Sequence, residues 1–215
     1  MNTKEIQNKK EKLKLNKRQR DIVVGLLLGD GHLETQNNGK TYRLKVEHSL
    51  EQSDYVDWLY KEFSDWIPKE KPYIKNRENG LQSIGFTTYS HSSLRFYGQQ
   101  FYSEDKKKHI PKLIKKLLSQ IGIAVWYMDD GSLKSKRHKT YNIHTLGYSR
   151  KDLEILQKAL QDKFKLETSL HKQKEKYLRI YIPEKSALKF TEIIKPYVEN
   201  ISSMKHKLVT QMPKK

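Results

Sequence analysis

At 215 residues the chain can bury one substantial core or two small ones of about 100 residues each. Its 43 Lys+Arg against 25 Asp+Glu leave a net charge of +18, an excess that on a folded chain points to a polyanionic partner. The absence of Cys excludes disulfides and thiolate metal sites, and no apolar run approaches the ~18 residues of a membrane span. No signal-peptide pattern opens the chain, so an intracellular protein that does not meet a membrane is expected. Hydrophobic content of 35% is lean, yet 10% aromatic residues, 13 of them Tyr, argue against disorder.

Residues 1–15 (MNTKEIQNKKEKLKL) are charged and weakly periodic, which predicts a frayed basic arm. Asn16 is a fitting N-cap for a helix from Lys17 to Asp30, with Gly25 and Gly29 placed to let another backbone approach. After Gly31 the period changes to alternation. His32, Glu34 and Gln36 then point one way, and an Asn37-Asn38-Gly39 turn reverses the chain into a strand over Tyr42–Glu47. Glu51 to Trp66 reads as an amphipathic helix with Tyr55, Trp58, Leu59 and Phe63 inward. A second hairpin follows, Tyr73–Arg77 and Leu81–Thr87 around Glu78-Asn79-Gly80, then a helix over Ser92–Tyr102. The basic string Lys106-Lys107-Lys108-His109-Ile110-Pro111 leads through a short helix into a second apolar run.

From there the plan repeats. Ser132–Lys136 and Tyr141–Thr145 form a hairpin, Arg150–Phe164 a helix, Leu166–Gln173 and Lys176–Ile182 a hairpin, and Glu184–Ile194 a helix. Lys40-Thr41-Tyr42 recurs as Lys139-Thr140-Tyr141, and the basic clusters near Lys108 and Lys207 recur at the same offset of 99. The expectation is an internal duplication in an α+β fold: a basic arm (1–15), a first half (16–118) and a second half (119–215). Each αββαββα half carries a four-stranded antiparallel sheet with helices on one face, leaving the other face free.

Alternation says what that free face carries. Strand Tyr177–Ile182 turns Leu178, Ile180 and Ile182 to the core and Tyr177, Arg179 and Tyr181 outward. The same logic exposes Arg43 and Lys45, then Tyr73, Lys75 and Arg77. In the second half it exposes Ser132, Lys134 and Lys136, Asn142 and His144, and His171 and Gln173. Such a face suits the phosphates and major-groove edges of double-stranded DNA.

Two apolar runs end on Asp-Gly: Val23-Val24-Gly25-Leu26-Leu27-Leu28-Gly29-Asp30-Gly31 and Ile123-Ala124-Val125-Trp126-Tyr127-Met128-Asp129-Asp130-Gly131. Each reads as a buried helix whose following glycine takes the left-handed position past the C-terminus. A carboxylate in a last helical turn is disfavoured by ~0.3–1 kcal/mol, and a divalent cation would repair it. Two parallel helices packed at their C-terminal ends would bring Asp30 and Asp130 together, and carboxylates that close raise each other's pKa unless a cation lies between them. The candidate metal group is Asp30 and Asp130 with Gly29 and Asp129 beside them; Asp129 ranks lower because it points about 100° away around the helix. Mg²⁺ suits sparse oxygen ligation, with Mn²⁺ as its substitute. Other chemistries find no residues: there is no Gly-rich phosphate loop and no His-Glu-x-x-His, and the eight histidines are scattered without metal-ligand spacing.

Both runs resemble the LAGLIDADG motif of homing endonucleases. On that pattern Asp30 and Asp130 fall on the metal-binding acid. The departures are Leu28 and Met128 at the motif's first Asp and Val125 in place of its Gly. The resemblance extends from about Asn16 to Lys207 and is closest to the single-chain, two-motif branch. It implies a monomer with the motif helices between halves, a saddle of sheets over a long asymmetric DNA site, and metal-dependent cutting of both strands with short 3′ overhangs. It also implies one basic residue per half that orders the attacking water. Lys-Lys-His-Ile-Pro assigns this role to Lys108, with Lys107 as competitor. Met204-Lys205-His206-Lys207-Leu208 assigns it to Lys207, with Lys205 still open because Val209 stands where Pro is usual. Alternatives within the resemblance are an intron maturase that binds RNA and a non-catalytic DNA-binding regulator.

Overall fold

The computed structural model describes residues 3–78, 80–135, 139–173 and 177–208. Two equivalent sets of elements follow one another. The first comprises α2 (Lys17–Leu28), after a leading α1 (Thr3–Glu11), then β1 (His32–Glu34), β2 (Arg43–Ser49), α3 (Ser53–Glu62), β3 (Tyr73–Asn76), β4 (Gln82–Thr87) and α4 (Arg95–Phe101). A short α5 (Ile114–Leu117) leads to the second set: α6 (Gln120–Asp130), β5 (Gly131–Ser135), β6 (Thr140–His144), α7 (Arg150–Phe164), β7 (Ser169–Gln173), β8 (Tyr177–Ile182) and α8 (Glu184–Val198). Each set forms one four-stranded antiparallel sheet, in the orders β1-β2-β4-β3 and β5-β6-β8-β7.

Local chemistry fixes the ends of these elements. Asn16 and Gln19 form a reciprocal capping box at α2, each side-chain oxygen accepting from the other's backbone N–H. Ser149 and Asp152 do the same for α7, and Ser119 Oγ accepts from Gly122 N at α6. In the first hairpin Asn38 and Gly39 have φ of 54° and 79°, the paired positive values that an Asn-Gly turn supplies cheaply.

The centre is α2 against α6. A Cβ on Gly25 would lie 2.5 Å from Gly122 O and 2.7 Å from Val125 Cβ, and one on Gly122 would lie 3.1 Å from Asp21 O. A Cβ on Gly29 would lie 2.6 Å from Asp129 Cβ. These contacts advance in the same direction along both helices, so the helices are parallel and their motif ends meet. Ile22 to Leu28 and Ile123 to Met128 are buried, and the sheets flank them, with Leu44, Val46, Ile143, Ile180 and Ile182 packed inward. Val125, which replaces the motif glycine, is the residue that fills the space opposite Gly25.

Several expectations are corrected. The basic arm is helical over Thr3–Glu11, and Leu13 and Leu15 anchor the segment behind it on the core. The helix expected over Glu51–Trp66 is split: 3-10 turns at Leu50–Gln52 and Ser64–Trp66 flank α3. The helix expected from Ser92 opens with a 3-10 turn over Ser92–Leu94. Gly31 and Gly131 are not left-handed; Gly131 has φ −84° and ψ 151°. Glycine is needed there for space, since a Cβ on Gly31 would lie 2.6 Å from Leu26 Cβ and one on Gly131 would overlap the Tyr127 ring. Strand β1 ends at Glu34, so Gln36 lies in the turn and not on the sheet. Asn79, Lys136, Lys176 and Val209 lie outside the described residues.

The Gly25 contact predicts that Gly25→Ala, although a better helix former, loses about 1–3 kcal/mol of stability through overpacking against α6. Urea unfolding of the two proteins measures the difference; an unchanged midpoint would mean the helices can separate at no cost.

Candidate active site and nucleic-acid face

The two motif ends are not equivalent. α2 stops at Leu28, and Tyr148 Oη donates to the carbonyls of Leu27 and Leu28 at 3.3 and 3.1 Å, so the last carbonyls are satisfied from the other half. α6 instead runs on through Asp130. Asp30 therefore sits just past its helix with a side chain 54% exposed, whereas Asp129 is wholly buried and Asp130 half-buried.

Asp129 is fully engaged. Its Oδ1 accepts from Tyr55 Oη at 2.8 Å and its Oδ2 from Asp30 N at 3.0 Å. It thus ties the end of α2 to α3 with both oxygens occupied. Asp130 differs: among the described residues its carboxylate has no hydrogen-bond or ion-pair partner. Burial, with Asp129 and Asp30 nearby, pushes Asp130 up to about 8, and burial with Asp30 pushes Asp129 up to about 7.

The expected lysines converge on this point. Lys108 Nζ donates to Gly29 O at 2.6 Å, and Lys207 Nζ donates to Met128 O and, at 3.4 Å, to Asp129 O. Burial lowers the pKa of both, opposed by the three carboxylates. Their competitors stand apart: Lys107 is exposed and paired with Asp105 at 2.7 Å, and Lys205 is exposed. The candidates Asp30, Asp130, Gly29, Asp129, Lys108 and Lys207 are thus brought into one cluster.

His48 joins them and was missed. It is 5% exposed, with Nδ1 3.8 Å from Asp30 Oδ2 and Nε2 3.7 Å from Asp129 Oδ1, and Nε2 has no hydrogen-bond partner among the described residues. Burial lowers its pKa, against the pull of Asp30. The histidines therefore do contribute to the acid cluster, a correction to their dismissal on spacing. The available signal was its inward position, since it continues the buried Leu44-Val46 alternation. Tyr55 reads as a core residue and gave no such signal, and Tyr148 was not singled out in the sequence.

On the outer face of the first sheet, His32 and Lys45, Glu34 and Arg43, and Lys75 and Ser83 are cross-strand partners. Arg43 grips Glu34 with Nε at 2.8 Å and Nη2 at 2.7 Å. Glu47, not anticipated, organises the middle of this face, accepting from Ser83 Oγ at 3.0 Å and Tyr73 Oη at 3.3 Å, with Arg77 at 3.4 Å. Arg77 lies just beyond β3.

The second face is less self-paired. Lys134 Nζ lies 4.4 Å from the Tyr181 ring centre, which stacks on His171, and His144 bonds Gln173 at 2.9 Å and Ser132 at 3.3 Å. Tyr177 is exposed at the strand's start. Asn142, expected to be exposed, is 4% exposed because its neighbours on the face cover so short a side chain, and its Oδ1 and Arg179 Nε are buried without a hydrogen-bond partner among the described residues.

The pKa shifts carry a sign. An acid whose folded pKa exceeds its unfolded value near 3.9 contributes its full stability below that value and loses it as pH rises through the folded pKa. In EDTA the protein should therefore weaken between about pH 4 and 8. Asp130→Asn should melt about 3 °C or more above the parent at pH 8, with the gap closing at pH 5. Added Mg²⁺ should raise the parent's melting temperature more than the variant's. A pH-independent gap in scanning fluorimetry would refute the strained carboxylate.

Comparison with known proteins agrees with this geometry. The profile of the LAGLIDADG DNA endonuclease family matches residues 20–190, across both motif ends and both sheets. DNA endonuclease I-ChuI of Chlamydomonas applanata is 30% identical over 91% of this chain and 96% of its own. The cytochrome b mRNA maturase bI2 of Saccharomyces cerevisiae is 28% identical over 87% of this chain, which spans 46% of that protein. The solved structure of the homing endonuclease I-WcaI bound to its DNA recognition sequence superposes with a TM-score of 0.86 at 26% identity, covering 98% of this chain and 95% of that one. With two motif helices meeting at their acids and the profile running through both halves, the chain belongs to the LAGLIDADG DNA endonuclease family.

Proposed function

We propose that the protein cuts both strands of a long, asymmetric DNA site, using a divalent cation held by Asp30 and Asp130, and Lys108 and Lys207 as flanking basic groups. The observation that carries this reading is Asp130: a half-buried carboxylate beside two other acids, with no hydrogen-bond or ion-pair partner among the described residues. The residues present fit a hard cation. Asp30 and Asp130 offer free oxygens, whereas Asp129 has both of its own engaged and serves to fix Asp30. An oxygen donor set favours Mg²⁺, with Mn²⁺ as substitute.

When bound, the cation would relieve charge on the scissile phosphate, acidify the attacking water and stabilise the leaving oxygen. The chain's own residues do the rest. Asp129 and Tyr55 hold the Asp30 backbone. Lys108 and Lys207, fixed through main-chain carbonyls, hold positive charge at the two motif ends, where each can orient a water or phosphate oxygen. The outer sheet faces supply groove contacts, and the +18 charge supplies phosphate attraction that falls with salt. The similarity to a maturase favours a second reading, splicing assistance through RNA, which binding of intron RNA in preference to duplex DNA would support. No helix among the described residues is long and apolar enough to cross a membrane.

Cleavage of a randomised plasmid library with Mg²⁺, followed by sequencing of the ends, tests the activity and yields the target and the overhang. Asp30→Asn and Asp130→Asn should each reduce double-strand cutting by about 10²-fold or more with DNA binding retained. Parental cutting by either variant would sink the two-acid reading. Lys108→Met and Lys207→Met should slow cutting by about 10²-fold with little change in affinity; a loss confined to binding would make them plain phosphate contacts.

The sheet face has its own test. Arg179→Ala should relax preference at one or two adjacent base pairs by ~1–3 kcal/mol, the discrimination of one bidentate contact. Binding profiles over single-base variants at two salt concentrations measure it. Uniform weakening with a salt slope lower by about one would reassign Arg179 to a phosphate.

A further inference from the structure

Each active-site lysine rides on a segment that the opposite half pins down. Lys207 lies at the end of a 3-10 turn, Ser202–Lys207, that follows α8. Four residues before it, Ser203 donates its backbone N–H to Asp54 Oδ2 at 2.9 Å and its hydroxyl to Asp54 Oδ1. Asp54 belongs to the first turn of α3, in the first half. Lys108 belongs to the first half, and two residues after it Ile110 donates its N–H to Asp152 Oδ1 at 3.2 Å. Asp152 belongs to the first turn of α7, in the second half.

The two carboxylates occupy equivalent places, in the first turn of the helix that follows the first hairpin of each half. There the unpaired N–H groups and helix dipole favour a carboxylate acceptor. Burial opposes the charge on Asp54, but donors from Ser203 and Tyr55 together bring its pKa below the usual carboxylate value. Neither acid contacts the cluster of Asp30, Asp129 and Asp130 by hydrogen bond. Besides helix-start donors from Tyr55 and Ser149 and the Ser203 hydroxyl, their partners are backbone amides of the lysine segments, and those amides have no other acceptor among the described residues.

We infer that Asp54 and Asp152 are positioning residues, each of which sets the lysine of the opposite half. Each strand's cut then depends on a carboxylate carried by the half that does not carry its lysine. This rests on the endonuclease reading above, with one lysine serving each strand.

The test uses the full-length protein and a selected target duplex with a different dye on each strand. Lys207→Met and Lys108→Met first identify the strand that each lysine serves. Asp54→Ala should slow the Lys207 strand about tenfold or more relative to the other, and Asp152→Ala should slow the Lys108 strand by a similar ratio, as expected for ångström-scale misplacement. Ser203→Ala, which removes the hydroxyl bond to Asp54 and keeps the amide bond, should show the strand bias of Asp54→Ala in the same direction and weaker. Asp152→Asn, which keeps an accepting oxygen, should restore the Lys108 strand. Equal slowing of both strands would show a merely structural role and overturn the inference, as would a bias toward the wrong strand. Amide hydrogen exchange gives a readout that needs no cleavage: Asp54→Ala should speed exchange at Ser203 but not at Ile110, and Asp152→Ala the reverse. If the parent cuts no duplex, the endonuclease reading fails while exchange still decides the brace. Unchanged exchange at both amides would overturn it.

Discussion

The close passage of α2 and α6 is the constraint on which the site depends. With a glycine on each helix at the crossing, the backbones approach until a Cβ on Gly25 would meet the Gly122 carbonyl oxygen at 2.5 Å. That approach brings Asp30, Asp129 and Asp130 together, where like charges repel and burial penalises Asp129 and Asp130. The surrounding groups answer this in two ways. Asp129 accepts from Tyr55 and Asp30 N, which offsets part of its burial, and two buried lysines are set at the helix ends. Asp130 feels the charge of both lysines, but among the described residues it has no hydrogen-bond donor of its own.

The duplication yields two unlike halves. The first helix ends early and is closed by a tyrosine from the second half, while the second helix carries its acid inside its last turn. At the repeat offset, the strand position that gives His48 to the acids falls on Gly147, a turn residue with φ of 91°. An imidazole therefore lies on the Lys207 side and a tyrosine hydroxyl on the Lys108 side. The asymmetry extends to the sheets, since the first outer face is self-paired around Glu47 and the second carries orphaned polar atoms.

Much of this was legible in the letters because it rests on local periodicity. The repeat offset, the alternation of β8 and the apolar runs ending in Asp-Gly give the architecture and single out Asp30 and Asp130, whereas Lys108 and Lys207 came only from the family resemblance, with Lys107 and Lys205 as alternatives. The sequence could not say that Asp129 is fully engaged, because that depends on Tyr55, 74 residues away along the chain. His48 escaped for a similar reason: metal-ligand spacing is a local pattern, whereas His48 meets the acids only through the sheet register. The glycines after the motifs were recognised as necessary but for the wrong cause, since a helix-end rule favours φ > 0 and the actual demand is room beside Leu26 and Tyr127. The basic arm was misjudged because its ordering comes from Leu13 and Leu15 docking on a distant core.

The lysines bind main-chain carbonyls, of Gly29 for Lys108 and of Met128 for Lys207, and this has an evolutionary reading. A carbonyl is present whatever side chain the residue bears, so the anchoring of the two cations does not constrain the identity of the motif residues around them. Leu28 and Met128, where the family motif has its first Asp, are buried and could drift to hydrocarbon without loosening either lysine. Motif spelling and lysine placement are thereby uncoupled, and divergent spellings of the motif can share one arrangement of charge.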